Sequence, residues 1–232
     1  KKIASSIKDK WGADAPTGQD DAFQALTIRE LFASAEKTNR WLGERLQQLV
    51  DHLNERFIDR LGPGGIKLNH PPCKGMERAG DKALMKYGND VTRLKDLSRA
   101  TLEVDSLDVD VFYDILEAMN DFSLMQTESC HWTAFEDRMQ QAMSGGYRDT
   151  QWVLYLGGHL CEVQTTMAVF SSAKTVGHGA YEGHRRKTES TLLASVRQMP
   201  ALVHQLLQTG ANPNGIKDKH GLYPLHFASL LG

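Results

Sequence analysis

From about Asp21 to Arg60 the apolar residues recur at three- and four-residue intervals, from Leu26, Leu31, Phe32 and Leu42 to Leu46, Leu49, Val50, Leu53 and Phe57. That spacing gathers them on one face of a helix, and Gly62-Pro63-Gly64-Gly65 ends it. A second helix is predicted over about 75–87. Alternating Ala100, Leu102 and Val104 predict a strand over 99–104. Asp108 is placed to cap a helix running to Met119. Residues 122–129 read as another strand, and 133–143 as a short helix or structured loop. Strands over 151–156 and 159–166 are joined by Gly157-Gly158, a two-residue hairpin signal. Residues 167–187 read as helical again. Helices before, between and after the strands predict an α+β domain with one mixed β-sheet flanked by helices. Residues 1–20 are polar and carry Gly12, Pro16 and Gly18, which predicts a flexible lead-in.

If Gly157-Gly158 is the turn, the register follows. Leu156 faces His159, Leu154 faces Cys161, Val153 faces Glu162, and Gln151 faces Gln164. Opposed residues share a face of the sheet. One face then carries Trp152, Leu154, Leu156, His159, Cys161 and Val163, which suits a core. The other carries Gln151, Val153, Tyr155, Leu160, Glu162 and Gln164, and extending the strand backward adds Asp149 and Tyr147. That second face is either the polar side of a half-exposed sheet or the floor of a site.

Composition narrows the function classes. The 232 residues are 41% hydrophobic and 24% charged, as in an ordinary globular protein. A formal net charge of −2 gives no global pull toward nucleic acid, double-stranded DNA included, so an anion site requires local clustering of Lys and Arg. Cys73, Cys130 and Cys161 are far apart and form no CxxC pair. That argues against a disulfide framework and for a reducing, cytoplasmic compartment. No apolar run is long enough to span a membrane, and Lys1-Lys2-Ile3 does not open a signal peptide. The missing initiator Met and an end inside a repeat at Gly232 lead us to expect a piece of a longer protein.

Two further features bear on anion chemistry. Lys74, Arg78, Lys82 and Lys86 repeat every four residues along the second helix. Like charges at that spacing repel by a few tenths of a kcal/mol each, so the stripe suits a polyphosphate. Glu77 and Asp81 beside it leave a salt-bridged solvent face equally open. Lys95-Asp96-Leu97-Ser98-Arg99 leads into the 99–104 strand. Asp96 is either a turn former or, with Glu162 on the same sheet, half of a Mg²⁺ site. That ion takes one or two carboxylates and completes its shell with waters and phosphates.

The order of these pieces resembles the RelA/SpoT synthetase family, whose fold is nucleotidyltransferase-like. The family's basic helix corresponds to Lys74, Arg78 and Lys82, and its Asp at a strand entrance to Lys95-Asp96-Leu97-Ser98-Arg99. Glu136-Asp137-Arg138, Gly146-Tyr147-Arg148-Asp149-Thr150-Gln151 and Glu162-Val163-Gln164-Thr165-Thr166 follow in family order, then His178 and Tyr181. The resemblance covers about half the chain, within a domain expected over 67–190. It implies transfer of pyrophosphate, or a nucleotidyl group, from ATP to a nucleotide or RNA 3′-hydroxyl. It also implies catalytic and metal roles for Asp96 and Glu162, with Mg²⁺ as cofactor. Lys74, Arg78, Lys82, Arg99, Asp149, Gln151, Gln164 and His178 would contact substrate, and Tyr147 would stack on the acceptor base. Arg78 replaces the family's Ser, Asp149 and Gln151 its Ser and His, and Thr165 or Thr166 its Arg. The Gly-Tyr-Arg-Asp variant also resembles a divergent branch in multidomain eukaryotic proteins, which implies as an alternative a catalytically degenerate nucleotide-binding sensor. At Asp149 a second acid near Glu162 is expected to repel an anionic substrate unless a metal sits there.

Residues 198–232 resemble the start of an ankyrin-repeat array, with Leu202-Val203-His204 through Asn214 and then Gly221-Leu222-Tyr223-Pro224-Leu225-His226. That implies protein binding by stacked helical repeats. Residues 21–66 form a helix expected to pack on the catalytic domain. They hold no His-Asp metal pair, so no hydrolase activity is expected. His178 and Glu182 have helical ligand spacing, but two ligands do not make a zinc site. Trp41, Trp132 and Trp152 read as core residues.

Overall fold

The computed structural model describes Ile7 and residues 28–88, 90–140 and 147–171. The chain divides into two compact units. One joins Lys1–Ala79 to Thr92–Lys174, and the other joins Gly80–Val91 to Thr175–Gly232. The expected continuation of the 167–187 helix, with His178, and the ankyrin-like stretch over 198–232 lie outside the described residues.

Helix α1 spans Ile28–Arg56 and the single turn α2 spans Ile58–Leu61. Gly62 and Gly64 at φ 74° and 69° then turn the chain into β1, Ile66–Asn69. The Asn54 amide acts as a surrogate strand there. It accepts from the Ile66 N–H and donates to the Ile66 carbonyl, both at 2.9 Å. Helix α3 follows over Met76–Tyr87 and strand β2 over Arg99–Val104. Helix α4, Val109–Asp121, has the expected cap: the Asp108 carboxylate accepts from the Asp110 and Val111 N–H groups. Strands β3 (Gln126–Thr127), β4 (Cys130–Asp137), β5 (Thr150–Leu156) and β6 (His159–Met167) complete one sheet.

The sheet order is β1-β2-β6-β5-β4-β3. Only β2 and β6 run parallel, so the sheet is mixed, as predicted. The β5–β6 register is the predicted one, with Leu156 opposite His159 and Gln151 opposite Gln164. Gly157 and Gly158 supply the two positive φ values, 56° and 95°, that a primed hairpin turn requires. One face of the sheet carries Leu102, Val104, Trp152, Leu154, Cys161 and Val163. It shares a single core with Leu42, Leu46, Leu49 and Leu53 of α1 and with Phe112, Ile115, Leu116 and Met119 of α4. The opposite face carries Gln151, Glu162 and Gln164 beside a small buried cluster of Ala134, Val153 and Leu160.

Two sequence expectations are corrected. Residues 122–129 are not a full strand: Phe122 closes α4, 123–125 form a 3₁₀ turn, and β3 has two residues. The segment expected to be helical or looped from 133 is instead the greater part of β4. A bulge between Trp132 and Ala134 inserts one residue, so Trp132 and Phe135 both reach the core. Trp132, Phe135 and Met139 thus stand three and four apart, a helical spacing produced by a bulged strand. Trp132 and Trp152 are fully buried, whereas Trp41 is 41% exposed and is no core residue. Among the described residues no helix is long and apolar enough to cross a membrane.

Candidate functional site

The registers fix which side chains share the polar face. Across β1, β2, β6, β5 and β4, opposed pairs run from Asn69–Thr101 and Arg99–Glu162 through Gln164–Gln151 to Gln151–Glu136. Glu162 lies at the middle of this floor. Its two oxygens accept from two amides, Gln151 Nε2 at 2.6 Å and Gln164 Nε2 at 2.8 Å. A carboxylate clamped from both sides has a fixed direction, which a group that must meet a reacting atom needs. The predicted grouping of Gln151, Glu162 and Gln164 is therefore present.

Arg138, just past the end of β4, organises the rest. Its Nε and Nη2 donate to the two oxygens of Asp149 at 2.7 and 2.8 Å, and its Nη1 donates to Gln151 Oε1 at 2.7 Å. Its Nη1 also lies 3.8 Å from the exposed Glu136 carboxylate. Burial alone would lower the Arg138 pKa. The hydrogen bonds and charge of Asp149, with Glu136 and Glu162 adding to them, outweigh burial and raise it, so the guanidinium stays charged. The chain Asp149–Arg138–Gln151–Glu162–Gln164 is continuous. Tyr147 ends it, its hydroxyl 3.4 Å from Gln164 Oε1.

This arrangement revises three expectations. Asp149 is fully buried and both its oxygens bind Arg138, so it is no substrate contact. It also calls for no metal to offset its charge, because Arg138 does so. Tyr147 is only 9% exposed, which leaves a base little ring face to stack on. Burial raises its phenol pKa, and the Asp149 carboxylate acts in the same direction. Arg138 closes the Glu136-Asp137-Arg138 motif, and its role follows from its place in the sheet. Its signal was positional: continuing the pairing of Asp137 with Thr150 by one residue sets Arg138 opposite Asp149.

Asp96 sits at the entrance to β2. The Glu162 N–H donates to the Ser98 carbonyl at 3.0 Å, so Asp96 is two residues from the point where β2 joins β6. Asp96 Oδ2 pairs with Lys74 Nζ at 2.7 Å, and both side chains are largely buried. A bond from the Lys74 N–H to the Leu97 carbonyl, 2.9 Å, holds the two segments together. Arg99 is half-buried on the polar face and Arg78 is exposed. Lys82 belongs to the second unit, where its ammonium lies 6.0 Å from the Tyr87 ring. No group of three or more His, Cys, Asp or Glu side chains suited to a metal occurs among the described residues. Asp96 and Glu162 are oxygen donors of the kind Mg²⁺ takes, an ion that completes its shell with phosphates and water.

No protein-family model and no curated protein matches the chain. Solved structures do. The small alarmone synthetase 1 from Bacillus subtilis, bound to its product pppGpp, aligns with a TM-score of 0.51 at 16% identity, over 78% of this chain and 91% of that one. A GTP pyrophosphokinase family protein from Streptococcus pneumoniae gives 0.50 at 14% identity, over 79% and 90%. The small alarmone synthetase 2 from Bacillus subtilis gives 0.50 at 13% identity, over 77% and 95%. The mixed sheet and its flanking helices have the RelA/SpoT-type alarmone synthetase fold.

Proposed function

We propose that this domain transfers pyrophosphate from ATP to a hydroxyl of a nucleotide, or of an RNA 3′ end. The observation that carries the reading is the clamped Glu162 carboxylate on a polar sheet face, with Lys74, Asp96 and Arg99 at the adjoining strand entrance. The acceptor oxygen attacks the β-phosphorus of ATP, and the bond from that phosphorus to the α,β-bridging oxygen breaks. AMP leaves, and the β,γ-pyrophosphoryl group stays on the acceptor. The hydroxyl proton passes to Glu162 and then to solvent. Lys74, Arg78 and Arg99 hold phosphate oxygens as charged donors. Asp96 and Glu162 would bind Mg²⁺, which supplies neutralisation of phosphate charge. Gln151 and Gln164 aim Glu162, Asp149 fixes Arg138 against Gln151, and Tyr147 supports Gln164. Positioning and charge are most of what such a transfer asks of a protein. The three free thiols accord with a cytoplasmic setting.

One observation favours a second reading, a nucleotide-binding sensor that has lost turnover and acts through a protein partner at residues 198–232. The group between Arg138 and Glu162 is an amide, Gln151, which is neither an acid nor a base near neutral pH. Incubation with Mg²⁺, γ-labelled ATP and a panel of nucleotides and tRNA separates the two. Transfer gives a labelled acceptor and one AMP per product, and Glu162→Gln abolishes both. Calorimetric binding of ATP with no labelled product selects the sensor.

A further inference from the structure

Between α1 and the tip of the β5–β6 hairpin lies a cleft of about 370 Å³, the size of a small-ligand pocket. Helix α1 packs on the apolar face of the sheet, so the cleft is away from the Glu162 floor. Trp41 forms one wall and is 41% exposed. Its ring is held on two sides. Lys37 Nζ sits 4.9 Å from the ring centroid, and a Cβ on Gly157 would lie 3.0 Å from the ring. The Gly157 N–H donates to the Ser129 carbonyl at 2.9 Å, which joins the β3–β4 and β5–β6 turns into one rim. Charge of both signs stands beside that wall, because Glu44 and Arg45, consecutive on α1, both line the cleft. Glu44 is exposed, and Arg45 is half-buried with its Nη1 donating to Gln48 Oε1 at 3.3 Å. Burial raises the Cys130 thiol pKa and the Arg45 charge opposes that, so the guanidinium is turned toward the start of β4. A guanidinium keeps further N–H donors for a ligand.

We propose that this cleft binds a free α-amino acid with an apolar side chain, its carboxylate on Arg45, its ammonium on Glu44 and its side chain against Trp41. A purely anionic ligand would face Glu44 and a purely cationic one Arg45, a mismatch that a zwitterion avoids. The Trp41 ring already has Lys37 as its cation, which removes the main reason for an organic cation to settle there. An α-amino acid carries both charges on one carbon, close enough to meet two neighbouring side chains of one helix, and leaves its own side chain free for the ring. Nothing in this site depends on pyrophosphate transfer.

Saturation-transfer NMR of L-phenylalanine titrated against the whole chain tests this. Binding is expected, with L-phenylalaninamide and N-acetyl-L-phenylalanine each about tenfold weaker, since each lacks one of the two charges. That comparison needs no variant. Trp41→Ala, Glu44→Gln and Arg45→Met should each weaken binding about tenfold as well, and an unchanged urea midpoint shows that a variant is folded. Glu162→Gln, on the other face of the sheet, should leave binding as it is. No saturation transfer to L-phenylalanine up to about 10 mM would overturn the proposal. Binding of the amide or the N-acetyl form as tight as that of the parent amino acid would do the same. So would binding that all three α1 variants leave unchanged, because the ligand would then sit elsewhere.

Discussion

Replacing Arg138 by methionine leaves the Asp149 carboxylate fully buried without its bidentate partner. Breaking a buried pair on one side costs about 3–5 kcal/mol, mostly for the uncompensated charge. The same change frees Gln151 Oε1, so the lower end of that range is the least we expect. With a urea slope of about 2 kcal/mol per molar, the unfolding midpoint should fall by about 1.5–2.5 M. Trp132 and Trp152 are buried and give the fluorescence signal. Arg138→Met combined with Asp149→Leu removes both charges and should regain most of the loss. The double variant should still lose pyrophosphate transfer, since nothing then braces Gln151 against Glu162. A single variant within about 1 kcal/mol of the parent, or a double variant no more stable than the single, refutes the reasoning.

Other expectations follow from separate parts of the molecule. His159 is buried, with Nε2 2.7 Å from Ser34 Oγ, and burial lowers its pKa to about 4. Below an unfolded value of 6.5 the unfolded chain gains a proton that the folded one refuses, so stability falls from pH 6.5 toward 4. The loss between pH 7 and pH 5 should be about 2 kcal/mol in urea titrations, and His159→Gln should flatten it. Gln164→Leu removes one clamp on Glu162 and should lower kcat about 10- to 100-fold with little change in KM; an unchanged kcat rejects the clamp. Gly157→Ala forces a side chain to φ 56° with its Cβ 3.0 Å from the Trp41 ring. It should lower Tm by the equivalent of about 1–2 kcal/mol. Asp108→Ala removes two cap bonds on α4 and should cost about 1 kcal/mol by urea unfolding.

Legibility in the sequence tracked how local the determining physics is. The β5–β6 hairpin was readable to the residue because strict alternation and a Gly-Gly turn specify register together. The α4 cap was readable because Asp108 acts on N–H groups two and three residues away. The bulge at β4 was not, since one extra residue turns alternation into a helical spacing. With β4 hidden, the partner of Asp149 was hidden too, and a neutralised acid looked like a repulsive one. Exposure of Trp41 depends on where α1 meets the Gly157 turn, and no window of sequence reports that. The partner of the Asn39 amide N–H, the Pro71 carbonyl, lies 32 positions away.

Strand β6 has a consequence for how the molecule comes into being. It is the last strand among the described residues, yet it sits between β2 and β5 and holds Glu162. On the ribosome, β1, β2 and α4 emerge first and can assemble only a sheet with a bare edge. Residues 99–104 must wait for residues 162–167 before their parallel pairing exists. Closure of the sheet and assembly of the Glu162 clamp are thus the same late, long-range event. A nascent or truncated chain stopping before β6 lacks both Glu162 and the strand that joins β2 to β5.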